Sequence, residues 1–149
     1  MPPWLLMLLV MEAVILGINP TRKDFAWFQQ LRRPSWLPFH SWIPLIWLSI
    51  YLCLYISALL SWHARRDWLL VAAYLVLLVL VEGYTWLMCR SRQLATGTLL
   101  CLVGWGFALI FSLSLLSVSR MSVLFLLPYL VWAPIEAVAT WQMRSLNGR

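Results

Sequence analysis

The sequence predicts an all-α integral membrane protein, a single bundle of five transmembrane helices. Three observations carry this. Between Arg33 and Arg65 lie 31 residues without Asp, Glu, Lys or Arg, and between Arg92 and Arg120 lie another 27. A helix needs roughly 20 apolar residues to cross a hydrocarbon core of about 30 Å, and each gap supplies them. Hydrophobic residues make up 63% of the 149, which fills four or five spans and leaves no stretch for a soluble domain.

Taken in order, the spans fall at residues 4–18, 42–62, 68–89, 94–117 and 121–143 of one domain covering 1–149. The first begins after Met1-Pro2-Pro3 with no basic run and no small-residue cleavage site, so it is expected to stay. Residues 19–41 form the one long connector. Pro20, Pro34 and Pro38 interrupt any helix there, around Trp27-Phe28-Gln29-Gln30-Leu31, whose apolar residues share one side of a single helical turn. This loop is expected to lie back on the bundle mouth as a lid. The other connectors, His63–Asp67, Arg90–Gln93 and Val118–Arg120, are tight turns that set neighbouring helices antiparallel.

The charge of +6 is topological. The basic residues are scattered among connectors and form no aromatic-laced patch, which argues against nucleic acid. Five spans put the two termini on opposite sides. The side of the lid, the 90–93 turn and the C-terminus carries eight basic residues, Arg22, Lys23, Arg32, Arg33, Arg90, Arg92, Arg144 and Arg149, and the other side carries three, Arg65, Arg66 and Arg120. The positive-inside rule then places lid and C-terminus in the cytoplasm and the N-terminus outside.

Function must be read from residues that break the apolar rule. Of the 11 tryptophans, Trp4, Trp42, Trp62, Trp68, Trp86 and Trp141 fall near span ends and belong to an interfacial belt. Trp47, Trp105 and Trp132 lie deeper, where an indole N–H needs a partner. All three glutamates, Glu12, Glu82 and Glu136, lie within spans. A carboxylate at mid-bilayer costs at least ~2.5 kcal/mol, so each is expected to face the interior and be neutral, paired or wetted. At ~1.5 Å per residue they share one depth, about 11–12 Å below the basic side, which suggests a common polar cavity; the alternative is three unrelated, locally satisfied side chains.

Pro134 leaves the carbonyl of Leu130 without its i+4 donor, and Tyr129, Trp132 and Glu136 share one face beside it. Gly97, Cys101, Gly104 and Ala108 form a small-residue stripe that lets another helix approach, inside the bundle or across a dimer. Phosphate loops, nucleophile elbows and Cys/His metal spacings are missing, so no catalytic residue and no metal ligand is assigned. With His40 and His63 read as connector residues, a triad or metal centre has almost no raw material. Cys53, Cys89 and Cys101 read as small buried hydrophobes.

The run Trp27-Phe28-x-x-Leu31-x-Arg33-Pro34-x-Trp36-x-Pro38, then Pro44-x-x-Trp47-x-x-x-Tyr51, resembles the loop and second helix of the tryptophan-rich sensory protein / translocator protein family, once called peripheral benzodiazepine receptors. Leu127-Pro128-Tyr129-Leu130-x-Trp132 and Met143-x-x-Leu146-Asn147 resemble its fifth helix. Pro134-Ile135 resembles the cyanobacterial branch, which points to a bacterial membrane. The resemblance implies a five-helix bundle, often a homodimer, with a cavity that opens toward the cytoplasm and binds tetrapyrroles such as protoporphyrin or haem; no cofactor is required. Its cavity aromatics correspond to Trp36, Trp47, Tyr129 and Trp132, with Pro44 shaping the wall and Trp27 in the lid; Glu136 joins these ligand-binding candidates on depth alone. Leu77 and Val81 stand where many members direct Gln and Asn into the cavity. Trp141 replaces the Tyr of a sterol-recognition pattern, so cholesterol is not supported.

The leading expectation is a membrane receptor, sensor or carrier for a tetrapyrrole. A porphyrin-degrading enzyme using cavity tryptophans is the second, disfavoured because acid–base and metal chemistry are missing. A membrane scaffold using the Gly97–Ala108 stripe is the third.

Overall fold

The computed structural model describes residues 2–36 and 42–148. They form α1 (Pro3–Gly17), α2 (Arg22–Gln29), α3 (Ile43–Ala64), α4 (Trp68–Ser91), α5 (Leu94–Leu115) and α6 (Arg120–Asn147). Pro38, His40 and Arg149 lie outside the described residues. Helices α1 and α3 to α6 make the five-helix membrane bundle. The four long ones run 22 to 28 residues. Helix α1 has only 15, about 22 Å at 1.5 Å per residue, and the chain then bends by 72° into α2.

Helix α2 corrects the sequence expectation of a single turn at 27–31. It starts at Arg22, where the Thr21 side chain accepts the Asp24 N–H at 3.2 Å, and it stops at Gln29 ahead of Pro34. Asp67 caps α4 in the same way, accepting from Leu69 N at 2.9 Å. His63, read as a connector residue, sits in the last turn of α3. The tight turn after α4 is made by Arg92 in the left-handed region, φ 55°, a conformation that costs a non-glycine residue on the order of 1 kcal/mol.

Contacts are most extensive between α5 and α6, then between α4 and α5 and between α3 and α6, whereas α3 and α4 touch little. The long helices therefore make a ring that stays open between α3 and α4, and α1 and α2 lie against that opening. Hydrophobicity does not hold helices together in lipid, so close approach and polar contacts must. The small-residue stripe supplies the first, within the bundle. All four of its residues are buried; a Cβ at Gly97 would overlap Met88 of α4, and one at Gly104 would come within 2.8 Å of the Tyr129 hydroxyl of α6. Cys101 Sγ donates to the Ala133 carbonyl at 3.2 Å. Helix α6 runs unbroken through Pro128 and Pro134, and the Leu130 carbonyl that Pro134 leaves unbonded accepts the Trp105 indole N–H at 3.0 Å.

Polar contacts are concentrated in a buried knot joining α3, α4 and α6. Ser57 Oγ and Ser61 Oγ bond the Tyr74 hydroxyl at 2.6 and 2.9 Å. Ser57 Oγ also donates to the Ser122 carbonyl at 2.7 Å, and Ser61 Oγ to Ser122 Oγ at 2.9 Å. Most of the belt tryptophans are exposed; Arg90 lies over Trp86 and Arg144 over Trp141, 5.8 and 5.7 Å from the ring centroids, as at a membrane interface.

Candidate functional site

The opening between α3 and α4 becomes a cavity of about 390 Å³ at the end of the bundle covered by α2. Its walls come from the first turns of α3 (Ile43, Pro44, Trp47, Tyr51), from α4 (Val81, Glu82, Tyr84, Thr85) and from α6 (Glu136, Ala139, Thr140, Met143). Asn19, Pro20, Phe25, Phe28, Gln29 and Arg33 roof it. Helical spacing explains the selection, since Trp47 and Tyr51 are four apart on one face and Glu136 and Thr140 are four apart on another. An apolar hollow of about 280 Å³ lined by Met7, Leu54, Tyr74 and Leu78 lies between α1, α3 and α4; it carries no charged group.

Trp47 is the central ring of the cavity wall. Its centroid lies 5.9 Å from that of Tyr51 and 6.2 Å from that of Tyr84, with interplanar angles near 30°. Each tyrosine donates its hydroxyl to a carboxylate: Tyr51 to Glu82 Oε1, and Tyr84 to Glu136 Oε2 at 3.1 Å. Glu82 is 8% exposed and Glu136 9%. Trp47 and, from the lid, Arg33 line the same cavity as Glu136. Trp132 Nε1 is buried and finds no hydrogen-bond partner among the described residues.

The lid is fastened to the end of α6. Arg32 N donates to Asn147 Oδ1 at 2.9 Å, and Asn147 Nδ2 returns a bond to the Arg32 carbonyl at 3.0 Å. Asn147 is itself held by donating to the Met143 carbonyl at 2.8 Å. Trp36 Nε1 donates to Gln142 Oε1. Arg33, next to the clamped Arg32, stacks over Phe28 at 5.5 Å and reaches the cavity.

Of the seven ligand-binding candidates, Pro44, Trp47 and Glu136 line this cavity and Trp27, Trp36, Tyr129 and Trp132 do not. Trp36 is 43% exposed, turned out to Gln142. Tyr129 is buried at Gly104, between α5 and α6. Trp132 is buried in α6 and Trp27 in α2, each with its indole nitrogen unpartnered among the described residues. The common cavity expected for the three acids holds for Glu82 and Glu136 only. Glu12 is exposed, because α1 lies outside the ring; it faces a groove of about 510 Å³ between α1 and α3, on the far side of the Trp47–Tyr51 wall. Tyr51, Tyr84, Glu82 and Arg33 also line the cavity; none is among the seven ligand-binding candidates, although Glu82 was expected in a common polar cavity. Tyr51, four residues after Trp47, and Glu82, an acid at the depth of Glu136, were the signals available. Among the described residues no three His, Cys, Asp or Glu side chains come together as a metal site would need.

Comparison with known proteins accords with this architecture. The chain is 27% identical over 126 residues to "Protein CrtK" of Rhodobacter capsulatus, covering 82% of this chain and 79% of that one. It is 22% identical over 129 residues to "Tryptophan-rich protein TspO" of Bacillus cereus, covering 83% and 82%. It is also 22% identical over 125 residues to a "Tryptophan-rich sensory protein" of Cereibacter sphaeroides, covering 84% and 79%. The family model described as TspO/MBR family matches residues 5–146, nearly the whole length. The chain belongs to the TspO/MBR family.

Proposed function

We propose that this membrane sensory protein is a receptor or carrier that holds a tetrapyrrole of the protoporphyrin or haem type in the cavity beneath α2. The observation that carries the reading is the wall of Trp47 flanked by Tyr51 and Tyr84, with a single guanidinium, Arg33, in the roof. A flat conjugated ring gains from stacking on an indole, and a propionate gains from the bidentate geometry of a guanidinium. The Cereibacter relative is named a sensory protein, which agrees with ligand sensing.

A cavity of about 390 Å³ lies near the lower end of the range for ligand pockets, so a macrocycle with side chains enters by lifting the lid. The Arg32–Asn147 clamp is the contact that must open. By the basic asymmetry, the lid faces the cytoplasm.

The test is a titration of the purified protein in nanodiscs with protoporphyrin, read by tryptophan fluorescence in the dark and under illumination. Saturable quenching in the dark that weakens in Arg33→Gln supports binding through the roof. An unchanged isotherm in that variant removes the propionate contact from the account. A new absorbing product that forms in light and requires Trp47 would favour the enzyme reading instead.

A further inference from the structure

The charges around the cavity do not cancel. Glu82 from α4 and Glu136 from α6 face it, and among the described residues Arg33 is the one basic residue on its wall. Neither acid is in an ion pair: the only one among the described residues joins Arg65 to Asp67 at 3.8 Å, in the connector before α4. Each carboxylate takes one hydroxyl donor, from Tyr51 and from Tyr84, out of the roughly four acceptor positions a carboxylate offers. The remaining polar groups on the wall, Asn19, Gln29, Thr85 and Thr140, are neutral. If both acids are ionised, the described wall is one positive charge short, and that cost is relieved either by a proton on one acid or by a bound cation.

The same wall offers π faces beside the acids. Trp47 sits between Tyr51 and Tyr84, and both tyrosines are the donors to Glu82 and Glu136. An indole and two phenols flanking carboxylates are the elements that recognise organic ammonium groups, by cation–π attraction and by charge.

We propose that the cavity is a binding site for a hydrophobic organic monocation, a protonated amine or quaternary ammonium whose charge lies among Glu82, Glu136 and the Trp47 ring while its apolar body fills the space under Phe25 and Phe28. One such charge brings the wall to neutrality. This ligand class goes beyond the tetrapyrrole reading and has the opposite electrostatic demand, so the two are separable: removing Arg33 weakens a propionate-bearing ligand and strengthens a cation.

The experiment uses the full chain in phosphatidylcholine nanodiscs. The probe is an N-alkylquinolinium, permanently cationic, against the alkylnaphthalene of the same shape, with binding read by calorimetry. The cation is expected to bind at least about tenfold more tightly than its neutral counterpart, with Glu82→Gln and Glu136→Gln each reducing the cation's affinity about tenfold and leaving the neutral probe unchanged. Arg33→Gln, in the roof and outside the bundle core, is expected to raise the cation's affinity several-fold, and it decides the matter if either glutamine variant fails to fold. Glu12→Gln, on the outer groove, is expected to change nothing. Equal binding of the two probes, loss of the cation preference in Glu12→Gln, or an Arg33→Gln variant that binds the cation no better would each overturn the proposal.

Discussion

The two halves of α3 are built on opposite principles. Toward its C-terminus, Ser57 and Ser61 are buried and every hydroxyl is bonded to Tyr74 or Ser122. Toward its N-terminus, Trp47 and Tyr51 stand on an open cavity beside carboxylates that have hydroxyl donors but are in no ion pair among the described residues. In lipid, a satisfied polar cluster is a fastening, since there is little hydrophobic gain in pairing helices. An unsatisfied one is a place for something else. The knot holds α3 to α4 and α6 at one end, and this lets the same helices separate at the other without the ring falling apart.

Substitutions that strike one half should spare the other. The largest effect is expected outside both halves, at the seam between α4 and α5. Gly97→Val would drive a branched side chain into Met88, costing about 1–3 kcal/mol of stability as overpacking does, with a lowered thermal midpoint in nanodiscs. Trp105→Phe leaves the Leu130 carbonyl without its donor, and an unsatisfied buried carbonyl costs about 1–3 kcal/mol; the same melting experiment should show a drop, and an unchanged midpoint would mean that Pro134 needs no such partner. Tyr74→Phe removes the hydroxyl common to Ser57 and Ser61; helix-to-helix hydrogen bonds in membranes average ~0.6 kcal/mol, so the midpoint should fall slightly while ligand affinity stays put. A change in affinity of the same size would blur the division between the halves. The smallest effect on affinity is expected from Asn147→Ala. It cuts both bonds to Arg32 and should speed ligand entry and exit together, seen in stopped-flow fluorescence as faster rates at a nearly unchanged dissociation constant.

The helices were legible because length and charge-free runs decide them. All four long spans start within one residue and end within four of where the apolar pattern puts them. Helix α2 was visible only in part: the Trp27–Leu31 turn drew attention, but the start was written in Thr21 and Asp24, a capping pair three residues apart. Facing was harder. Helix α1 is apolar on all sides apart from Glu12, so nothing in its sequence says that it lies outside the ring, and the argument that a carboxylate at depth turns inward gave the wrong side for it.

The aromatic residues show the same limit from within the site. Trp47 and Trp132 are both deep indoles in motifs that resemble the family's, yet one faces the cavity and the other is buried away from it. Depth can be counted along a helix; rotation about its axis depends on neighbours the count does not contain. The stripe at Gly97–Ala108 announced close approach without naming the partner, and Pro134 announced a free carbonyl without naming Trp105.

If the cavity wall around Trp47 binds the ligand, the Ser57 knot is only scaffold. The most direct measurement is a dark protoporphyrin titration of Trp47→Ala beside Ser57→Ala, both at a temperature where the folded fraction is complete. Trp47→Ala should lose roughly 1–3 kcal/mol of binding, the range for removing a stacking ring from a planar ligand, and Ser57→Ala should lose none. Parent-like affinity in Trp47→Ala, or a comparable loss in Ser57→Ala, would contradict it.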